Sequence, residues 1–141
     1  MRSVLHHSSE TWCLTTSLKQ RLQSTERRMV RMMCGVRLVD RLPSEELRRG
    51  LGIQFDIIEC LDTSILRWFG HVFRRKDTHP IKVAHSFRVT GKIPPGRPKK
   101  TWDNAVRELL TARRLSEVDA LDRVSWRSRI QGRPADLSQL G

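Results

Sequence analysis

The sequence predicts an all-α protein, about five helices in two small lobes joined by a basic Pro/Gly-rich loop. Three observations carry that prediction. Apolar residues recur with helical period over residues 17–34 and 57–73, a capped segment from Trp102 to Arg113 has one apolar side, and Pro80, Gly91, Pro94, Pro95, Gly96 and Pro98 interrupt the middle of the chain. The expected organisation is a helical lobe over 1–77, a connector over 78–100, a helical pair over 101–130 and a frayed tail over 131–141.

The first helix runs through residues 17–34, with Thr16 or Ser17 as N-cap and Gly35 just past its end. Leu18, Leu22, Met29, Met32, Met33 and Val36 share one arc, with Thr25 among them, and are expected to face a core. Arg27, Arg28 and Arg31 lie opposite, either against phosphates or in water. After a turn-like stretch, Ser44 is expected to cap a short helix whose first turn holds Glu45 and Glu46, favourable for the helix dipole. Gly50 and Gly52 end it.

The next segment is the best defined. Asp56 stands as cap, and Ile57, Ile58, Leu61, Ile65, Trp68, Phe69 and Val72 form a stripe expected at the centre of the core, with Leu66 and Phe73 at its edge. Its other side presents Arg67, His71 and Arg74 at i, i+4 and i+7, a ridge continued by Arg75 and Lys76. His71 reads as a helix-edge histidine.

Within the connector, 81–89 fits either a short helix or a strand. The run Pro94-Pro95-Gly96-Arg97-Pro98-Lys99-Lys100 is held extended by its prolines, so Arg97, Lys99 and Lys100 are candidates for phosphate contact. Thr101 then caps a helix bearing Trp102, Ala105, Val106, Leu109, Leu110 and Arg113 on one side. Ser116 and Asp119 resemble a capping box opening a last helix through Leu121, Val124 and Trp126 to about Ile130. Trp102 and Trp126 read as packing residues.

Charge narrows the partners. Lys and Arg number 27 against 15 Asp and Glu, a net +12, so a polyanion is the expected partner. The longest apolar stretch is broken by Glu59, Asp62 and Arg67, which argues against a membrane span. The N-terminus lacks a secretory pattern, and an intracellular setting is expected. Cys13, Cys34 and Cys60 are odd in number and far apart, so free thiols are expected, and neither they nor the five histidines have zinc-ligand spacing. No metal, cofactor or small-molecule substrate is expected. Phosphate cradles, nucleophile elbows and paired carboxylates for two-metal chemistry are all missing, so no catalytic residue is assigned.

Five blocks carry a family resemblance. Arg2-Ser3-Val4-Leu5 with Ser9-Glu10-Thr11-Trp12-Cys13-Leu14, the helix end Arg28-Met29-Val30-Arg31-Met32-Met33-Cys34-Gly35-Val36, Arg67-Trp68-Phe69-Gly70-His71-Val72, Gly96-Arg97-Pro98-Lys99-Lys100-Thr101-Trp102 and Leu121-Asp122-Arg123-Val124-Ser125-Trp126-Arg127 follow in order. Together they resemble the region downstream of the polymerase core in LINE-type (non-LTR) retrotransposon reverse transcriptases. The Tyr-X-Asp-Asp palm motif and the endonuclease acids have no counterpart. The resemblance implies a fragment or domesticated remnant serving target-primed reverse transcription as a non-catalytic accessory that binds RNA or DNA, and it extends the expected setting to the nucleus. The Arg97-Pro98 strip also resembles an AT-hook core, with Pro95 where the first arginine would stand. Two further readings stand beside nucleic-acid binding: a helical module docking on a polymerase core, and a decayed frame without selected function.

Overall fold

An apolar stripe opened by a capping aspartate makes the longest apolar helix, and the rest of the chain is arranged around it. The computed structural model describes residues 7–87, 91, 95, 96 and 98–131. Among these there are six α-helices and no strand: α1 Thr16–Cys34, α2 Ser44–Gly50, α3 Ile57–Phe73, α4 Pro80–Ser86, α5 Trp102–Ala112 and α6 Arg123–Gln131. Short 3-10 turns occupy Ser9–Thr11, Leu38–Asp40 and Val118–Leu121. The all-α class expected from periodicity is the class observed. The opening string Arg2 to Leu5, Arg97, and the tail beyond Gln131 lie outside the described residues.

Helix α3 begins with a reciprocal capping box. Asp56 Oδ1 accepts from the Glu59 backbone N–H at 2.8 Å, and Glu59 Oε2 accepts from the Asp56 N–H at 3.0 Å. Its buried residues are Ile57, Leu61, Ile65, Leu66, Phe69, Gly70 and Val72. The arc is therefore rotated from the expected one. Leu66, placed at the edge by the sequence, is fully enclosed, whereas Trp68 is only half-buried and stacks on His71 with ring centroids 5.3 Å apart. The cause is the partner on that side: Gly70 leaves room for the Trp126 indole, which draws the packing centre toward Leu66 and Gly70.

The core joins Ile65, Leu66 and Phe69 of α3 to Val106, Leu109 and Leu110 of α5, Ala120 of the 3-10 turn, and Trp126 and Ile130 of α6. Thr101 caps α5 as expected, its side chain accepting from Asn104 N–H. Trp102 packs against the core and donates its indole N–H to the Glu10 carbonyl at 2.8 Å, tying the Ser9–Thr11 turn to α5. Arg113 donates to the Ile130 carbonyl, and the Thr63 hydroxyl donates there too at 3.3 Å, so one of the carbonyls left without an intrahelical partner at the end of α6 is satisfied twice.

Two expectations at the chain's ends are corrected. Helix α1 does not bury the methionine arc: Met32 and Met33 are 73% and 66% exposed, and Leu18 is exposed too, while Glu26 and Val30 are buried. The contact surface is a polar seam at Lys19, Gln23 and Glu26. Lys19 Nζ lies 3.0 Å from Asp62, Gln23 Nε2 donates to Asp56 at 3.4 Å, and Glu26 Oε2 accepts from the Ile57 N–H at 3.1 Å. An orphan N–H at the start of α3 and its positive dipole end explain why a carboxylate is buried there. Arg48, 3.5 Å from the same carboxylate, compensates its charge. Thr15 is the cap of α1, one residue before Thr16, and Gly35 closes it at φ +65° with Val36 N–H bonded to Arg31 O, a Schellman geometry.

At the other end, Asp119 Oδ2 accepts from the Ser116 N–H at 2.7 Å, but the Ser116 hydroxyl accepts from Val118 N–H at 3.1 Å instead of completing a capping box, and the two residues close only a 3-10 turn. Asp122 interrupts it in extended conformation and its carboxylate accepts from Val124 N–H at 2.9 Å, opening α6 separately. Leu121 and Val124 are consequently exposed rather than on a helical core face. Ser44, expected as a cap, is the first helical residue of α2, with Pro43 at the cap position. The open choice over 81–89 is resolved through Ser86 in favour of a helix, α4, with proline in its first turn and the His79 side chain accepting from Ile81 N–H.

Candidate nucleic-acid interface

The polar side of α3 does not face open water alone. Trp126 sets α6 against it: the indole N–H donates to the Leu66 carbonyl at 3.1 Å, and the ring passes so close to Gly70 that a Cβ there would sit 2.5 Å from Nε1. With Trp126 pointing into α3, its neighbours at i−3 and i+1, Arg123 and Arg127, flank the same junction. They meet Arg67, His71, Arg74 and Arg75 across a groove of about 550 Å³ whose lining also includes Trp126 and Ile130.

Five arginines and a histidine thus line one groove that holds no acid. Among the described residues, no carboxylate forms an ion pair with Arg67, Arg75, Arg123 or Arg127. The nearby Asp119 is engaged by Arg129 at 2.7 Å, and the Ser116 backbone N–H, assisted by Arg129, holds its carboxyl below the usual range. Arg74 is half-buried and donates to the Ala120 carbonyl at 2.6 Å; desolvation first, and Arg123 second, push its pKa down. His71 is likewise shifted below 6.5, by burial foremost and then by Arg75, Arg74, His79 and Arg123. Arg75 Nη2 lies 3.1 Å from His71 Nε2, and since a guanidinium only donates, that nitrogen accepts and the neutral ring carries its proton on Nδ1. Guanidiniums with no counter-charge form a positive concavity suited to phosphate oxygens.

The structure brings together three of the sequence candidates, Arg67, Arg74 and Arg75, and adds Arg123, Arg127 and His71. The others stand elsewhere. Lys76 and Lys99 are exposed, as are Arg27 and Arg28 on α1. Arg31 is half-buried and donates to the Leu42 carbonyl at 3.3 Å, with its Nε buried without a partner, so it pins the following loop rather than extending the basic face. Lys100 is half-buried against Glu108, which answers its charge. Arg123 and Arg127 carried an available signal, a basic i, i+4 pair flanking a tryptophan, the same spacing as Arg67 and His71.

Other chemistry finds little support. A second hollow, about 670 Å³, is lined by Glu45, Arg48, Arg49, Asp56 and Glu59 among others, and in it Arg48 lies 4.0 Å from the Asp56 carboxylate. Among the described residues no group of three or more His, Cys, Asp or Glu is placed to hold a metal ion. Among the described residues Cys13, Cys34 and Cys60 form no disulfide and are half-buried, and burial raises the Cys13 thiol pKa, which disfavours the reactive thiolate. No described helix is long and apolar enough to cross a membrane.

Comparison with known proteins gives one bearing. The chain is 26% identical over 114 residues, 78% of its length, to an uncharacterized transposon-derived protein of Caenorhabditis elegans. It spans only 41% of that relative. No family model matches the chain, and no solved structure matches it. The likeness points to a transposon origin.

Proposed function

We propose that this chain is a non-catalytic nucleic-acid-binding region, a fragment or domesticated remnant of a LINE-type retrotransposon reverse transcriptase, acting on RNA or DNA in the nucleus. The observation that carries the reading is the acid-free groove of five arginines between α3 and α6. Two of the blocks that resemble the reverse-transcriptase family, Arg67 to Val72 and Leu121 to Arg127, supply its two walls. The transposon-derived relative agrees in origin. Phosphate contacts dominate such an interface and make affinity fall with salt.

The test is fluorescence polarisation of a labelled oligonucleotide across a salt series, with the parent and an Arg67→Gln/Arg123→Gln/Arg127→Gln variant. Removing three counterion-releasing contacts flattens the slope of log affinity against log salt by about 2–3. Melting stays within about 0.5 kcal/mol of the parent, since these are solvated surface charges. An unchanged slope with binding intact would remove the groove from the interface. A second reading, docking on a polymerase core, is favoured by the exposed Met32, Met33, Leu38 and Val39 around the end of α1. Apolar docking is indifferent to salt or strengthened by it, so the same series separates the two.

A further inference from the structure

Resting on the nucleic-acid reading, we propose that the groove takes a single strand, with a base stacked on the ring of His71, in preference to a duplex. Single-strand sites combine a basic groove that follows one backbone with an aromatic surface on which bases stack. Both parts are present on α3. Arg67, Arg74 and Arg75 supply cations along one side, Arg123 and Arg127 close the groove from α6, and the imidazole of His71 lines it between them. Trp68 backs that imidazole, its ring centroid 5.3 Å away and the two planes only 18° apart.

The remaining aromatic rings near the groove are committed elsewhere. Trp126 is 2% exposed with its N–H bonded to Leu66, and Phe69 is buried in the core. Trp68, by contrast, is half-buried and takes no part in the buried cluster, so its stacking on His71 is not dictated by core packing. Burial and then the arginine field favour the neutral imidazole, which stacks on a neutral base without adding to the crowded positive charge. A duplex keeps its bases paired and offers the groove phosphates alone, leaving the His71 surface unused.

The proposal is tested on the full chain with four fluorescent probes at one salt concentration: dT15, rU15, an abasic strand of the same length, and a 15-base-pair duplex. The abasic strand has the charge without the bases. At least one of dT15 and rU15 binds about ten-fold tighter than the abasic strand and tighter than the duplex, and their ratio tells DNA from RNA. His71→Ala brings the ratio of base-bearing to abasic affinity to within about two-fold, and His71→Phe, which keeps a ring, restores it. Equal affinity for the abasic and base-bearing strands, or tighter duplex binding, overturns the single-strand proposal while leaving phosphate binding in place. Failure of all four probes to bind overturns the nucleic-acid reading and this proposal with it.

Discussion

Gly70→Ala is the smallest perturbation that probes the joint between α3 and α6. The added Cβ would sit 2.5 Å from Trp126 Nε1, 2.9 Å from its Cδ1 and 2.9 Å from Arg74 Nη1. Arg74 can swing aside, but the indole is enclosed, with Phe69 6.1 Å from it ring to ring and Ile130 in the same cluster. Overpacking of this kind costs about 1–3 kcal/mol. Moving the indole also strains its hydrogen bond to Leu66, worth about 1 kcal/mol. Against these, alanine gains about 1 kcal/mol over glycine in a helix interior. The net expectation is a loss of about 2 kcal/mol, which for a chain of this size lowers the melting temperature by roughly 5–10 °C. Thermal unfolding followed by circular dichroism measures it, with Gly50→Ala as control, since a Cβ there meets nothing within 4 Å. The control should melt at or slightly above the parent. A Gly70→Ala protein that melts with or above the parent would refute the claim that close approach of Trp126 fixes α6.

Glu26→Ala should cost about 2–4 kcal/mol in urea unfolding, because it strips the acceptor from the Ile57 N–H and leaves Arg48 without its nearest carboxylate; a change within about 0.5 kcal/mol would mean the polar seam is incidental. The lowered pKa of His71 means that the folded state binds fewer protons than the unfolded one, so its contribution to stability is present above pH 6.5 and is lost as pH falls through 6.5 toward the folded value. An anion in the groove reverses this locally: the His71 pKa, followed by NMR titration, rises on adding oligonucleotide and binding tightens on acidification, whereas a pKa unmoved by a saturating oligonucleotide puts the ligand elsewhere. Lys99→Gln/Lys100→Gln should reduce the salt slope less than the triple groove change, since Glu108 already answers Lys100; a larger reduction would make the loop the principal contact.

Local rules made the helix boundaries legible. Asp56, Thr101 and Gly35 each terminate a helix by a hydrogen bond or backbone conformation that depends on nearest neighbours, and all three act where the sequence put them. Rotation of a helix about its axis is a different kind of quantity, because it depends on what the helix meets. The apolar wheel of α1 assigned Met32 and Met33 to the core, yet the start of α3 needed an acceptor, and Glu26 supplies it. No periodicity argument contains that need, which arises only when two segments about thirty residues apart are brought together. Trp68 fails for the same reason. Its place on the α3 stripe was sound, but the insertion of Trp126 at Gly70 moved the packing centre away from it.

The candidate site was half legible for a related reason. A basic ridge on one helix reads equally as a solvated face, and Arg67, Arg74 and Arg75 alone would be no more than that. They become a concavity because Trp126 brings Arg123 and Arg127 to face them. That arrangement has an electrostatic cost, since burial first and the neighbouring guanidiniums second hold both His71 and Arg74 below their ordinary pKa. A fold selected only for stability has a simple remedy, a carboxylate among these guanidiniums, and the described residues that line the groove include none. The opposite solution appears at α1, where Lys19 pairs with Asp62 and Glu26 with Arg48. The same chain therefore pairs Lys19 and Glu26 where helices pack and, among the described residues, lines one groove with five guanidiniums and no carboxylate, and a conflict between local stability and charge of that kind is the physical mark expected of a binding surface.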